Sequence, residues 1–371
     1  MSELLYAIAL TKLRGLSLAN AKKLYEQVGS AKKIFDNADS LPDLLSDANA
    51  ALLADVFADS ATAIETAKRE IDFMQQKRMR GITMSDPDYP VRLHCCPDAP
   101  VVLYQCGECN LNRKRVINIV GTRKCTEYGR EMVNSFVREL KRACPDVLIV
   151  SGLAYGIDIC AHRAALANGM DTIGVLAHGL DNIYPPLHRP VAVEMVGSGG
   201  GLLTEYTTHT IPEKGNFVRR NRIVAGMTDA CIVAESASKG GSLITANLSF
   251  DYSRDVFVFP GRVGDESSAG CNALIKQNKA ALIENAKDFI DAMGWETAPS
   301  SQSQQIEMFP ILSPAEQKVM DTLSKVDEKH INKIAEDTQI DFSTIAGVLF
   351  ELEMKGLVRP LGGGVYRRGV S

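Results

Sequence analysis

The stretch Val116-Ile-Asn-Ile-Val-Gly121-Thr-Arg123, a helical segment, and then Val147-Leu-Ile-Val-Ser151-Gly152 decide the fold. Two short apolar runs, each ending at a glycine, flank one amphipathic stretch, which is the order of strand, helix and parallel strand. The alternation continues outward. Strands are read at 116–121, 147–151, 171–176, 201–205, 229–234 and 255–259, and helices near 126–142, 157–168, 189–197, 217–226, 242–253 and 285–293. The pattern predicts an α/β domain over 76–295, with a Rossmann-like, mostly parallel sheet. Ligands of such sheets sit beyond the carboxyl ends of the strands, so the loops that follow each strand carry the functional information.

Both flanks differ from this centre. Residues 1–75 show helical periodicity through Leu5, Ile8, Leu13, Ala21, Leu24, Ile34 and Phe35, broken at Gly15 and Gly29, and predict a small all-helical domain. Leu13-Arg-Gly15-Leu-Ser-Leu-Ala19 echoes the hairpin of helix-hairpin-helix modules, with Ser17 where the second glycine would stand. A helical packing module without DNA contact fits equally well. Residues 296–312 are polar, lack periodicity and read as a linker. Residues 313–371 then give helices at 314–325, 329–337 and 342–355 and a glycine-rich hairpin from Leu357 to Arg368, the order of a winged helix. Its third helix carries Asp341, Glu351 and Glu353 against Lys355, so protein contact, or weak wing binding through Arg359, Arg367 and Arg368, is expected in preference to duplex readout.

The chain has 371 residues, 45% hydrophobic and 23% charged, with a net charge of −4, which describes an ordinary globular protein of two or three domains. No stretch approaches the ~18 apolar residues of a membrane span, and no cleavable leader is evident, so a cytoplasmic location and no membrane partner are expected. Nine scattered cysteines suit reduced, packed thiols. Cys95, Cys96, Cys106 and Cys109 bring four sulfurs and one CxxC knuckle together in sequence. A structural zinc usually pairs two knuckles, and adjacent Cys95 and Cys96 point apart, so no metal is expected.

Because the chain is acidic overall, the cations of Lys214-Gly-Asn-Phe-Val-Arg-Arg-Asn-Arg222 form a local feature. Lys214, Asn216, Phe217, Arg219, Arg220 and Arg222 together offer charge, an amide and one aromatic ring. That set suits phosphate contact with base stacking, which is indifferent to sequence and weakens as salt rises. The alternative is that Phe217 is core and the arginines pair with Glu205 or Glu235. After the first strand, Gly121 allows close backbone approach and Arg123 offers a planar fork to phosphate. Gly152 and Gly156 open a helix whose amides form an anion nest, with Asp158 read as structural. Gly240 and Gly241, between Lys239 and Ser242, repeat that arrangement after the fifth strand, and Pro260-Gly261-Arg262 after the sixth. The GxGxxG spacing is absent, and no acidic residue ends the second strand, so no nucleotide cofactor is expected.

These segments resemble the DNA-processing protein A family, DprA or Smf. The resemblance runs through Gly121-Thr-Arg123, Ser151-Gly-Leu-Ala-Tyr-Gly-Ile-Asp158, Lys214 to Gly226, Gly241-Ser-Leu-Ile-Thr-Ala246, and Pro260-Gly261 to Gly270-Cys-Asn272-Ala-Leu-Ile275. It implies a homodimer through the Rossmann-like domain that binds single-stranded DNA, shields it and helps load the RecA recombinase, without catalysis. Arg123, Lys214, Phe217 and the arginines of 219–222 fall on positions such proteins use for DNA. One departure is Lys276-Gln-Asn278-Lys279, where the family continues with a Gly-Ala pair. The competing class is a nucleotide-cleaving phosphoribohydrolase on the same architecture. Those enzymes carry Pro-Gly-Gly-x-Gly-Thr and a downstream glutamate, whereas this chain has Glu235-Ser-Ala-Ser-Lys-Gly-Gly-Ser242.

Overall fold

A computed structural model describes residues 2–38, 55–297, 312–324 and 328–369. The chain divides into two compact units, residues 1–299 and 300–371. The linker expected at 296–312 falls, apart from its ends, outside the described residues.

Alternation builds the first unit. In β3 (Val116–Gly121), Ile117 and Ile119 enter one apolar cluster while Val116 and Val120 enter another. In β4 (Leu148–Ser151) and β7 (Ala230–Glu235) the same division separates Ile149 and Ile232 from Val150 and Val233. A strand buried on both faces needs helices on both sides, which is why these runs are apolar apart from Asn118, whose amide donates to the Thr228 hydroxyl, and the terminal Ser151 and Glu235. Below the sheet lie α6 (Glu127–Ala143), α7 (Ile157–Ala167) and α12 (Ala286–Ala292), with Phe136 edge-on to Phe259 and Phe289 at 5.7 and 5.6 Å. The other face takes the N-terminal helices α1 (Glu3–Leu10), α2 (Leu18–Val28), α3 (Ala31–Asp36) and α4 (Ser60–Gln76). The described helices of the N-terminal segment, set apart in sequence as residues 1–75, thus share one hydrophobic core with the sheet.

The sheet has nine strands in the order β1-β2-β6-β5-β4-β3-β7-β8-β9. Strands β5 (Thr172–Val175), β6 (Gly201–Thr204), β8 (Asp255–Val258) and β9 (Ala281–Leu282) continue the parallel set. Two strands absent from the sequence reading, β1 (Met79–Thr83) and β2 (Val102–Cys106), add an antiparallel edge. Arg80 and Gln105 hide that pair in sequence: they sit opposite each other, and the guanidinium donates to the amide oxygen at 2.8 and 3.0 Å. Three further helices complete the layer, α8 (Arg189–Gly197), α9 (Lys214–Gly226) and α10 (Ser242–Asp251), besides a short turn of helix, α5 (Val91–His94). Helix α11 (Ala269–Lys276) was also not expected. It ends at Lys276, and Asn278 just beyond it has φ +54°, a left-handed backbone that asparagine tolerates.

The second unit is a winged helix. Helices α13 (Pro314–Leu323), α14 (Ile331–Thr338) and α15 (Phe342–Met354) close around Val319, Leu323, Ile334, Ile345, Leu349 and Leu352, beside a sheet of β10 (Lys329–His330), β12 (Val365–Arg368) and β11 (Val358–Gly362). Ser313 and Glu316 form a capping box on α13, and Lys355 reaches Glu316 at 2.5 Å.

Candidate nucleic-acid interface

From β3 the chain winds outward through β4, β5 and β6, then crosses back to β7 and winds the other way. Loops that leave adjacent strands in opposite directions open a crevice at their carboxyl ends. Here it holds about 330 Å³ and lies among Gly121, Arg123, Gly152, Phe217, Gly240 and Ser242.

Close backbone approach shapes one wall. Gly156 has φ +79°, and a Cβ there would overlap the Thr122 carbonyl oxygen, while the Ile157 amide donates to that oxygen at 3.1 Å. The loop after β3 therefore lies directly on the start of α7. Glu235 holds it from the other side, accepting from the Thr126 amide at 2.8 Å and the Thr126 hydroxyl at 2.7 Å. So fixed, the loop projects Arg123 into solvent, with its guanidinium carbon 5.3 Å from the centre of the Phe217 ring. Phe217 is half-buried in the first turns of α9, which begins at Lys214, three residues before the helix start expected at 217. Tyr184 adds a second ring at 5.8 Å, tilted by 56°, and is itself 42% exposed. The sequence reading missed this ring. Its signal was present in Tyr184-Pro-Pro186, a rigid aromatic turn beyond the carboxyl end of β5.

Two of the expected cations are not available in the way their sequence suggests. Arg220 is 3% exposed and donates to the carbonyls of Gly152, at 2.8 Å, and Val175. Arg222 is 6% exposed and ion-paired with buried Glu205. Helix phase explains both, because Arg220 stands three and four residues before buried Ile223 and Val224, and Arg222 three and four before buried Ala225 and Gly226. The alternative reading of paired arginines therefore holds for Arg222, while Arg219 and Lys214 stay exposed. Burial pushes the Glu205 carboxyl up and Arg222 opposes it. One oxygen of Glu205, Oε1, and one nitrogen of Arg222, Nη1, keep no hydrogen-bond partner.

The anion nests are corrected likewise. The Gly152 amide donates to Asp158 at 3.1 Å and the Ala154 amide does so at 3.4 Å, so the chain's own carboxylate fills that nest. Burial raises the Asp158 pKa and the Arg220 guanidinium opposes the shift. The Gly240 amide is spent on Ala237 at 3.0 Å. Beyond it α10 starts at Ser242 with no side-chain cap, and the Ser242 hydroxyl donates to Ser236 at 2.8 Å. The Leu243 and Ile244 amides of its first turn donate to the Gly240 and Gly241 carbonyls, each at 3.2 Å, so the chain itself largely closes this nest too. Lys214, Asn216 and Lys239 lie outside the crevice lining, with Lys214 and Lys239 exposed on its approaches.

The N-terminal helices hold the segment that leads into α9. Glu70 of α4, 6% exposed, accepts from the Thr208 amide at 3.1 Å and the Thr208 hydroxyl at 2.7 Å, and Lys12 donates to the Thr207 hydroxyl at 2.8 Å. Burial lowers the Lys12 pKa, with Glu70 and Glu205 opposing. Asp181 accepts from the His209 amide at 3.1 Å. The hairpin resemblance at 13–19 ends in a structural role, since the Ser17 hydroxyl caps α2 by accepting from the Asn20 amide at 3.2 Å. Among the cysteines, Cys96 and Cys109 are buried, Cys95 is exposed, and burial pushes the Cys109 thiol up to about 11. Among the described residues no cluster of His, Cys, Asp or Glu is placed to hold a metal ion, and no helix is long and apolar enough to cross a membrane.

A doubly wound sheet with a cationic, aromatic-lined switch point, followed by a winged helix, defines a class of nucleic-acid-handling proteins. Residues 80–294 match the family described as DNA recombination-mediator protein A, and residues 299–364 match the DprA winged helix domain. The chain belongs to the DNA recombination-mediator protein A family. It is 31% identical to Protein Smf of Escherichia coli over 303 residues, 80% of this chain and 79% of that protein. It is 38% identical to Protein Smf of Synechocystis over 224 residues, a match spanning 59% of this chain and 55% of the cyanobacterial protein. The crystal structure of DNA processing protein A from Streptococcus pneumoniae superposes with a TM-score of 0.63 at 30% identity, over 78% of this chain and 98% of that one. DNA processing protein A from Helicobacter pylori, described for its single-stranded DNA binding mode, gives 0.52 at 31% identity over 58% of this chain and 95% of its own.

Proposed function

We propose that this protein binds single-stranded DNA at the switch-point crevice, acting in the cytoplasm as a non-enzymatic recombination mediator. It shields the strand, helps load RecA, and works as a homodimer through the Rossmann-like domain. The observation that carries the reading is the exposed Arg123 guanidinium seated over a half-buried Phe217 at the mouth of the crevice. A cation on an aromatic ring, with Tyr184 beside it, offers one charge for phosphate and ring faces for unpaired bases. Lys214, Arg219 and Lys239 extend the positive approach, and Asn216 and Ser242 add polar contacts. The Helicobacter pylori relative supports it as a described single-strand binder. The phosphoribohydrolase reading lacks an open carboxylate, because Glu205 pairs with Arg222 and Glu235 holds Thr126.

The test is a salt series on the doubly reversed variant Arg123→Glu, Lys214→Glu. Loss of two phosphate contacts is expected to flatten the plot of log affinity against log salt by about 1.4 in slope. Unchanged affinity and slope in a folded variant would refute the crevice. The acidic third helix of the winged helix also bears Phe342, Phe350 and Met354, each more than half exposed, which suits a protein contact.

A further inference from the structure

We propose a second nucleotide subsite on the other side of α9, in which the N-terminal helix α2 takes part. The groove holds about 390 Å³ and lies between Leu18 of α2, Val218, Arg219 and Arg222 of α9, and Ile244 and Leu248 of α10. It is continuous with the crevice: Val218 and Ile244 line both, as an apolar ridge exposed at 46% and 38%. A strand seated at Arg123 and Phe217 that crosses this ridge enters the groove next.

The groove has the chemistry of a nucleotide site. Leu18, Val218, Ile244 and Leu248 offer apolar walls to the faces of an unpaired base, and base stacking on such surfaces ignores sequence. Arg219 is exposed at one side. Arg222 is more than nine-tenths buried and spends part of its guanidinium on Glu205, yet Nη1 has no partner. That nitrogen is closed off from solvent, so Arg222 lends positive potential to the groove while Arg219 is the cation a phosphate can reach. Asp98, the carboxylate of the lining, already accepts from the Tyr252 hydroxyl at 2.6 Å. Its charge turns phosphate away from that end and toward Arg219.

The proposal rests on the crevice reading and is tested so that the two fail separately. Affinity for oligothymidylates of graded length is measured by fluorescence anisotropy on the full chain and on Leu18→Glu. An acidic residue in the first turn of α2 suits the helix dipole, so the fold is retained. Wild type should gain affinity once the oligonucleotide is long enough to cross the ridge. Leu18→Glu should lose roughly ten-fold on long oligonucleotides and nothing on short ones confined to the crevice. Ala19→Glu, at an exposed neighbouring position, serves if Leu18→Glu melts early, and a photoreactive residue at position 18 should crosslink only the long strands. Equal weakening at every length, or none, overturns the groove. If Arg123→Glu is equally silent, the crevice reading has failed instead.

Discussion

Arginines 219, 220 and 222 look alike in sequence and should behave differently when removed. Arg222→Ala strands the Glu205 carboxylate at 4% side-chain exposure, and breaking such a buried pair typically costs about 3–5 kcal/mol. Arg219→Ala is exposed and should change stability by no more than about 0.5 kcal/mol while weakening single-strand binding. Urea melts and DNA titrations on the two variants separate these outcomes. Gly156→Ala combines a left-handed backbone with overlap against Thr122 and Arg123, and is expected to lose about 2 kcal/mol or more. His162 gives a pH signature. Its Nδ1 meets the Thr172 hydroxyl at 2.7 Å, and that hydroxyl donates to the Ile149 carbonyl, so the imidazole donates from Nδ1 and buries Nε2 without a partner. Burial, then His188 and Arg220, lower its pKa to about 3. The native ring stays neutral while the unfolded one protonates below 6.5, so this stability is complete above 6.5 and is lost as pH falls toward 3. His178 acts in the same direction, and the raised carboxyls of Asp158 and Glu205 act against it. Comparing His162→Gln with wild type isolates the imidazole: the variant's melting temperature should fall less steeply between neutral pH and pH 5.

At the scale of elements, α9 is productive only if it starts in the right place. Its N-terminus follows a segment held by Glu70 and Lys12 from the helical layer and by Asp181 from the loop after β5. Glu70→Ala leaves the half-buried Thr208 amide and hydroxyl without their acceptor and removes a charge that favours the Lys12 ammonium, a loss of about 1–3 kcal/mol. It should also weaken DNA binding several-fold by letting Lys214 and Phe217 drift, which a binding isotherm at a temperature where the variant is fully folded would show. Glu70→Asp should recover part of the affinity. An unchanged isotherm would mean that α9 is positioned by the sheet alone.

Over the whole molecule, the proposal assigns strand binding to the first unit. All the proposed phosphate contacts lie in residues 1–299, so a chain ending at 297 should keep single-strand affinity to within about two-fold. A larger loss, measured by anisotropy at one salt concentration, would give the winged helix a share in binding. The central strands were legible because every residue of β3, β4 and β7 except Gly121 is buried, and all but Asn118, Ser151 and Glu235 are apolar, leaving no competing period. Strands β1 and β2 were not, since Arg80 and Gln105 satisfy each other only after pairing. Strand β9, two exposed residues long, carries no pattern at all.

The sequence by itself determined the parallel sheet, the glycine loops at its carboxyl edge and the local surplus of cations, because those follow from periodicity, backbone freedom and charge. Tertiary structure alone decided which cations face solvent. A helix turns 100° per residue, so Arg219 and Arg220 diverge, and only the packing of α9 on the sheet sets which of them meets water and which meets the carbonyls of Gly152 and Val175.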